Sequence, residues 1–204
     1  MRPEIEASWE KLLNPDSLKQ QLLAGGIYLA AYEMFKRSLV RRPRDFFWSG
    51  LANGKDVVDP KYQIEVVSLD KKHIYHASAL WWERQGVLTA DDVLLTETIR
   101  EHRDEIAHDI PRFLGTADGV IRLDLLSGIL ATLSKIDKWW IQQVEIPANP
   151  DFDGITEEEL DGAASLSMVF LSIMIPIASG DDSGLREIYR LWKERKTANG
   201  QRTS

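Results

Sequence analysis

The sequence predicts an all-α protein, a bundle of about five to seven helices in a single domain, from three observations. Apolar residues recur at helical spacing over long stretches, as in Leu18, Leu22, Leu23 and Ile27 and again in Leu125, Leu126, Ile129, Leu133 and Ile136. Turn and capping residues stand between those stretches. The balance of 44% hydrophobic and 28% charged residues in 204 positions suits one good-sized core.

Taken in order, a short amphipathic piece from Ile5 to Leu13 leads to Asn14-Pro15-Asp16-Ser17, which supplies turn and N-cap chemistry. A long helix then runs towards Val40, and Pro43 is expected to end it. Gly25 and Gly26 weaken that helix, and the expected return is close approach of a neighbouring helix. Trp48 to Pro60 reads as a loop, and Tyr62 to Val67 suits a strand or a helix start equally. Asp70 to Gln85 is helical, with Gly86 as its stop. Thr89 and Asp92 form a capping-box-like start to a helix that should stop near Ile110, because Pro111 disfavours helix in the residue before it. Another helix spans Val120 to about Val144, followed by a polar loop from Pro147 to Gly154. The last two helices are Glu157 to Ala178 and Gly184 to Lys196. The single domain covers 1–196, and 197–204 reads as a disordered tail.

Composition excludes several classes of chemistry. With no cysteine, neither a disulfide framework nor a thiolate metal site is available. The polar start Met1-Arg2-Pro3-Glu4-Ile5-Glu6 lacks the apolar run of a secretory signal, so a cytoplasmic location is expected. The most apolar window, Ala163 to Ala178, carries three serines and Pro176 and falls short of the ~20 residues of a bilayer span, so no membrane partner is expected. A net charge of −7 argues against a surface that attracts nucleic acid everywhere, but leaves room for a local basic groove.

Lys36, Arg37, Arg41, Arg42 and Arg44 are the clearest candidates for such a groove, five cations in nine positions with no acid among them. A solvated helix end whose cations complement the dipole is the equal alternative. The later series Arg186, Arg190, Lys193, Arg195 and Lys196 is interleaved with Glu187 and Glu194 and reads as a salt-bridged face. His73 and His76 would ligate a metal only if His102 or a carboxylate joined them, and a polar helix face is the better reading. Asp151-Phe152-Asp153-Gly154 lacks the remaining ligands of a calcium loop and reads as a turn. No metal or cofactor is therefore expected. Adjacent helix positions point about 100° apart, so one tryptophan of each pair, Trp81-Trp82 and Trp139-Trp140, should enter the core.

The segment Arg103-Asp104-Glu105-Ile106-Ala107-His108 carries the chemistry. Arg103 and His108, five apart, project about 140° from one another on neighbouring faces of a helix. Asp104 and His108, four apart, stack, so the carboxylate is placed to orient the imidazole or hold its positive form. The helix C-terminus favours imidazolium as well. A guanidinium beside such a histidine suits phosphodiester chemistry, the arginine gripping phosphate oxygens while the imidazole moves a proton. By charge pattern alone, the same residues are the solvated face of an exposed helix.

The string REHRDEIAHDI resembles the HEPN family (higher eukaryotes and prokaryotes nucleotide-binding), whose motif is arginine, four to six residues, then histidine. Arg103, four residues and His108 match it, and Asp104 fits the polar position that commonly follows the arginine. The resemblance implies a HEPN-like bundle and a metal-independent endoribonuclease of the toxin–antitoxin, abortive-infection or CRISPR-linked kind. In that family two motif copies usually meet at a dimer interface. It thus implies a homodimer acting on RNA, with an antitoxin or defence-system protein as a further partner. Arg103 would polarise the scissile phosphate, His108 would act as general base or acid for 2′-hydroxyl attack, and Asp104 would tune His108 and position Arg103. The tyrosine that some members carry two residues beyond the histidine is here Ile110. A HEPN-type RNA-binding or assembly module without catalysis is the alternative.

Overall fold

The structure is a computed structural model that describes residues 2–149 and 165–200, with side chains as far as 196. Its architecture is all-α with one small hairpin, in agreement with the sequence. Helix α1 (Pro3–Leu13) buries no residue of its own. Asn14 then starts the long helix α2 (Pro15–Phe46), its side-chain oxygen accepting the backbone N–H groups of Asp16 at 3.0 Å and Ser17 at 3.3 Å.

Pro43 does not end α2, contrary to expectation, and lies inside it. A proline lacks the N–H that would bond the carbonyl four residues back, here Leu39. The indole N–H of Trp82 donates to that carbonyl instead, at 2.9 Å, which satisfies the orphaned acceptor in a buried setting. The helix therefore continues for one more turn.

The stretch expected to be a loop is a two-stranded antiparallel hairpin, β1 (Trp48–Ala52) and β2 (Lys55–Val58). Its two-residue turn is Asn53-Gly54, both at positive φ (53° and 74°), the backbone sense that matches the twist of paired strands. The register shifts between Trp48 and Gly50, where Gly50 has φ 137°.

Helix α3 (Lys61–Glu65) and a 3-10 turn (Val67–Leu69) occupy the region that suited strand or helix. Helix α4 (Ile74–Arg84) is followed by Gly86 at φ 71°. Helix α5 (Ala90–His108) begins with both halves of the expected capping box: Thr89 Oγ1 accepts from Asp92 N at 3.2 Å, and Asp92 Oδ2 accepts from Thr89 N at 2.8 Å. It ends at His108, and Ile110 opens a separate short helix, α6 (Ile110–Gly115), in whose first turn Pro111 fits without losing a bond. Helix α7 (Asp124–Trp140) runs into a π turn (Ile141–Glu145). Helices α8 (Leu166–Ala178) and α9 (Ser183–Gly200) follow, so the last helix extends past Lys196 into the stretch read as tail. The Asp151-Phe152-Asp153-Gly154 turn and the expected helix start at Glu157 lie outside the described residues.

Helix α2 is the axis of the bundle, with α4, α5, α7 and α8 packed around it. Its buried stripe, including Ile27, Tyr28, Ala31, Phe35 and Leu39, meets Trp81, Trp82, Ile99, Leu126, Ile129, Leu133 and Ile136. The expected close approach of a neighbouring helix is not seen at either glycine: a Cβ at Gly25 would meet only the side chain of Ile121, before α7, at 3.4 Å, and Gly26 faces open space. Trp81 and Trp82 are both buried, not one of the two, because Phe46, Phe47 and Trp139 wrap around them as an edge-to-face aromatic cluster. Trp139 and Trp140 are each half-buried against the same core. Among the described residues, no helix is long and apolar enough to cross a membrane.

Candidate functional site

Arg103 lies on the face of α5 that meets α2, and its environment follows from that packing. Ile99 and Ile106 are buried, which fixes α5 on the bundle, and Arg103 between them emerges at the seam with its side chain 30% exposed. The guanidinium donates to Glu33 Oε1 at 2.6 Å, across to α2, and to Asp104 Oδ1 at 3.0 Å. Its carbon stands 5.0 Å from the centre of the Tyr32 ring, a cation–π contact. Partial burial opposes its charge, but the hydrogen bonds to Asp104 and Glu33 prevail and hold its pKa above the usual arginine value. Burial also pushes the Tyr32 hydroxyl up to about 12, so Tyr32 is a neutral ring and hydrogen-bonding group at physiological pH. The Arg103 Nε is buried and has no hydrogen-bond partner.

His108 is the last residue of α5 and is exposed. It makes no hydrogen bond, ion pair or ring contact with other described residues. On a regular helix its Cα is about 8–9 Å from that of Arg103, so the two reach a common ligand only from different sides. Asp104 is brought to Arg103 and not to His108. Its second oxygen accepts from Arg100 at 3.1 Å, so the carboxylate bridges two arginines. Thus the structure joins two of the three sequence-derived catalytic candidates and leaves the third alone at the helix end. The acid that grips Arg103 from α2, Glu33, lies 70 residues away in sequence and carried no signal in the motif.

The basic segment of α2 is more neutral in space than in sequence. Lys36 lies 4.0 Å from Glu33, Arg41 pairs with Asp45 at 3.2 Å, and Arg44 lies 3.6 Å from Asp56 of β2. Arg42 forms a buried ion pair with Asp137 of α7 and lies 5.4 Å from the Trp140 ring centre. Asp137 also accepts a hydrogen bond from Ser165, the residue that caps α8. Arg42 therefore ties three helices together. Arg37 makes no ion pair among the described residues and lines a shallow cavity of about 420 Å³ with Met34, Ser38 and Trp140. Of the five cations of α9, Arg186 pairs with Asp182 and Arg190 with Glu187 and Glu194, while Lys193 and Lys196 lie over the Tyr189 and Trp192 rings, so the expected salt-bridged face forms in part.

Beside the Arg103 seam is a second cavity, about 550 Å³, between the start of α4 and the middle of α5. Asp70 at its rim accepts the backbone N–H groups of Lys72 and His73 and contacts His76 Nδ1 at 3.1 Å. The His76 hydrogen bond, with those of the backbone, holds the Asp70 carboxyl below its ordinary range. His73 and His76 do not meet His102, which lies elsewhere, edge-on to Tyr28 and Phe113. Among the described residues, no group of three or more histidines and carboxylates is placed to hold a metal ion. Arg100 closes this cavity but is engaged by Glu97 and Asp104, with Glu101 4.0 Å away. Asp70 and Glu97 stand against Lys72 and Arg100 in its lining, a balance of charge that leaves little attraction for an anionic ligand.

The fold and these contacts define an all-α bundle with an arginine-bearing seam and a free histidine at the end of one helix. Comparison with models of known families, with curated proteins and with solved structures finds no match to this chain.

Proposed function

We propose that the chain is a HEPN-like, metal-independent endoribonuclease that works as a homodimer, in a toxin or anti-phage defence role in the cytoplasm with an antitoxin or defence-system partner. One observation carries the reading: Arg103 and His108 lie on one helix, the arginine partly and the histidine fully exposed, with the histidine unengaged at its carboxyl end. In the reaction, Arg103 exchanges a carboxylate for a non-bridging oxygen of the scissile phosphate, a swap between two anions that the guanidinium fork fits equally well. His108 takes the proton of the ribose 2′-hydroxyl, whose oxygen attacks the phosphorus. The 5′-oxygen then leaves with a proton from the second motif across the dimer, giving a 2′,3′-cyclic phosphate and a free 5′-hydroxyl. Asp104 serves as a positioning residue for Arg103. Of the α2 cations, Arg37 contributes positive charge for the RNA backbone, since Lys36, Arg41, Arg42 and Arg44 are each engaged by a carboxylate.

The engagement of Arg103 by both Glu33 and Asp104 favours a second reading, a HEPN-type RNA-binding or assembly module in which this arginine is structural. Cleavage of RNA in the presence of chelator separates the two. Wild type should cut, and Arg103→Ala and His108→Ala should each lower the rate by about 100-fold or more, the usual worth of a positioned acid–base group. Equal cutting by all three proteins rejects the catalytic assignment. RNA binding without cleavage by any of them supports the module.

A further inference from the structure

One face of α2 meets the end of α7 and the first turn of α8 across the cavity that holds Arg37. Met34, Arg37, Ser38, Arg41 and Asp45 follow one another along that face at helical spacing, and Trp140 of α7 and Ser167 of α8 close it. Its volume of about 420 Å³ lies within the ~300–1,000 Å³ of small-molecule sites.

Three arginines border this space, and two of them are answered by carboxylates, Arg41 by Asp45 and Arg42 by Asp137. The third, Arg37, has no ion-pair, hydrogen-bond or ring partner among the described residues, so three guanidinium groups against two carboxylates leave one positive charge. The hydroxyls of Ser38 and Ser167 are likewise without a hydrogen-bond partner among the described residues, although both serines are half-buried. Elsewhere helical serines turn back on their own helix, as Ser8 and Ser78 do on carbonyls four residues earlier, at 2.8 and 2.7 Å. Two helices thus supply one cavity with an unpaired guanidinium and two unpaired hydroxyls, all able to donate.

That donor set selects its ligand. A guanidinium fork takes two oxygens of an oxyanion, and a carboxylate or a phosphate inside a nucleic acid chain has only two that are free. A phosphate monoester offers a third, which lets the fork and the hydroxyls bind from different directions. We propose that this cavity holds the phosphate group of a phosphate monoester on Arg37, Ser38 and Ser167, with the organic part of the ester against Met34 and Trp140. The site shares no residue with the Arg103 seam. It goes beyond a general attraction of Arg37 for the RNA backbone and does not depend on RNA cleavage.

Isothermal titration calorimetry on the full chain in about 0.15 M salt tests it, with phenyl phosphate as the monoester, diphenyl phosphate as the diester and benzoate as the carboxylate. Phenyl phosphate should bind once per chain with a Kd of about 1 mM or tighter, and the other two about tenfold more weakly or worse. Arg37→Gln should weaken phenyl phosphate about tenfold, and Arg37→Lys, which keeps the charge but loses the fork, should not restore it. Ser38→Ala with Ser167→Ala should weaken it about three- to tenfold, with helicity unchanged by circular dichroism in every variant. A 2′-O-methyl hexanucleotide, which cannot be cut by 2′-hydroxyl attack, distinguishes two sources of the ester. Tighter binding of its 5′-phosphate than of its 5′-hydroxyl form, lost in Arg37→Gln, assigns the site to a nucleic acid end, and equal binding of the two forms beside tight phenyl phosphate assigns it to a small metabolite. No binding of phenyl phosphate at about 10 mM, equal binding of the diester, or undiminished binding by Arg37→Gln overturns the inference.

Discussion

Replacing Asp137 by Asn tests how the bundle is held together. The Asp137 side chain is 4% exposed and that of Arg42 17%, so the substitution leaves a cation in a largely dry position with a neutral partner. Breaking a buried pair from one side costs about 3–5 kcal/mol. Two features place this site near the lower limit: Arg42 keeps its cation–π contact with Trp140, and its partial exposure admits water. The Ser165 cap of α8 loses its charged acceptor at the same time, which adds up to about 1 kcal/mol. Loss of about 3–4 kcal/mol is therefore expected, a large fraction of the 5–15 kcal/mol of a typical domain. Urea unfolding followed by far-ultraviolet circular dichroism reads it directly. The paired change Arg42→Met with Asp137→Leu should recover most of the loss, since an apolar pair of similar volume carries no desolvation cost. A loss below about 1 kcal/mol for Asp137→Asn, or no recovery in the pair, would refute a desolvated, structure-holding ion pair.

Three further outcomes follow from the contacts. If Glu33 competes with phosphate for Arg103, Glu33→Gln should tighten binding of a short RNA about three- to tenfold by filter binding at fixed salt, and weaker binding would show that Glu33 instead orients the arginine. Trp82→Phe keeps the aromatic packing but removes the donor to Leu39 O, and should cost about 1–3 kcal/mol in the same urea assay, with the loss absent when Pro43→Ala restores a backbone donor. His102 accepts the backbone N–H of Arg122 on Nε2 at 3.0 Å, which only the neutral ring can do, and burial lowers its pKa, outweighing the pull of Glu105. A depressed folded value means that this contribution is complete above the ordinary value of about 6.5 and is lost as pH falls through the folded value, so Tm should drop below pH 6.5 and His102→Gln should flatten that drop.

Where the chemistry was local, the sequence carried it. The Asn14 cap, the Thr89–Asp92 box and the stop at Gly86 are decided by residues within one turn of one another, and each forms as its residue types imply. Pro43 failed as a stop signal because its rescue comes from Trp82, 43 residues away in sequence from the carbonyl it bonds. The hairpin was legible in Asn53-Gly54, the strongest short turn signal in the chain, but its strands are only five and four residues long and mostly exposed, so no apolar alternation marked them. The same distinction governs the site. The helix that carries Arg103 and His108 could be placed from the Thr89–Asp92 box and Pro111, while Arg103, Arg42 and Arg44 also meet carboxylates brought by tertiary packing, Glu33, Asp137 and Asp56, and Lys36 and Arg41 meet Glu33 and Asp45 just beyond the basic run. Charge counted along nine positions thus overstated the field in space.

The central position of α2 also sets a timetable. The ribosome completes it by Phe46, but α8, one of its covers, is finished only at Ala178. At about 5–20 residues per second that is a wait of roughly 7 to 26 s, during which the apolar stripe from Ile27 to Leu39 has only α4, α5 and then α7 to shelter it. A nascent fragment that stops before α8 leaves part of that stripe uncovered and should be degraded or aggregate instead of accumulating as a stable partial bundle.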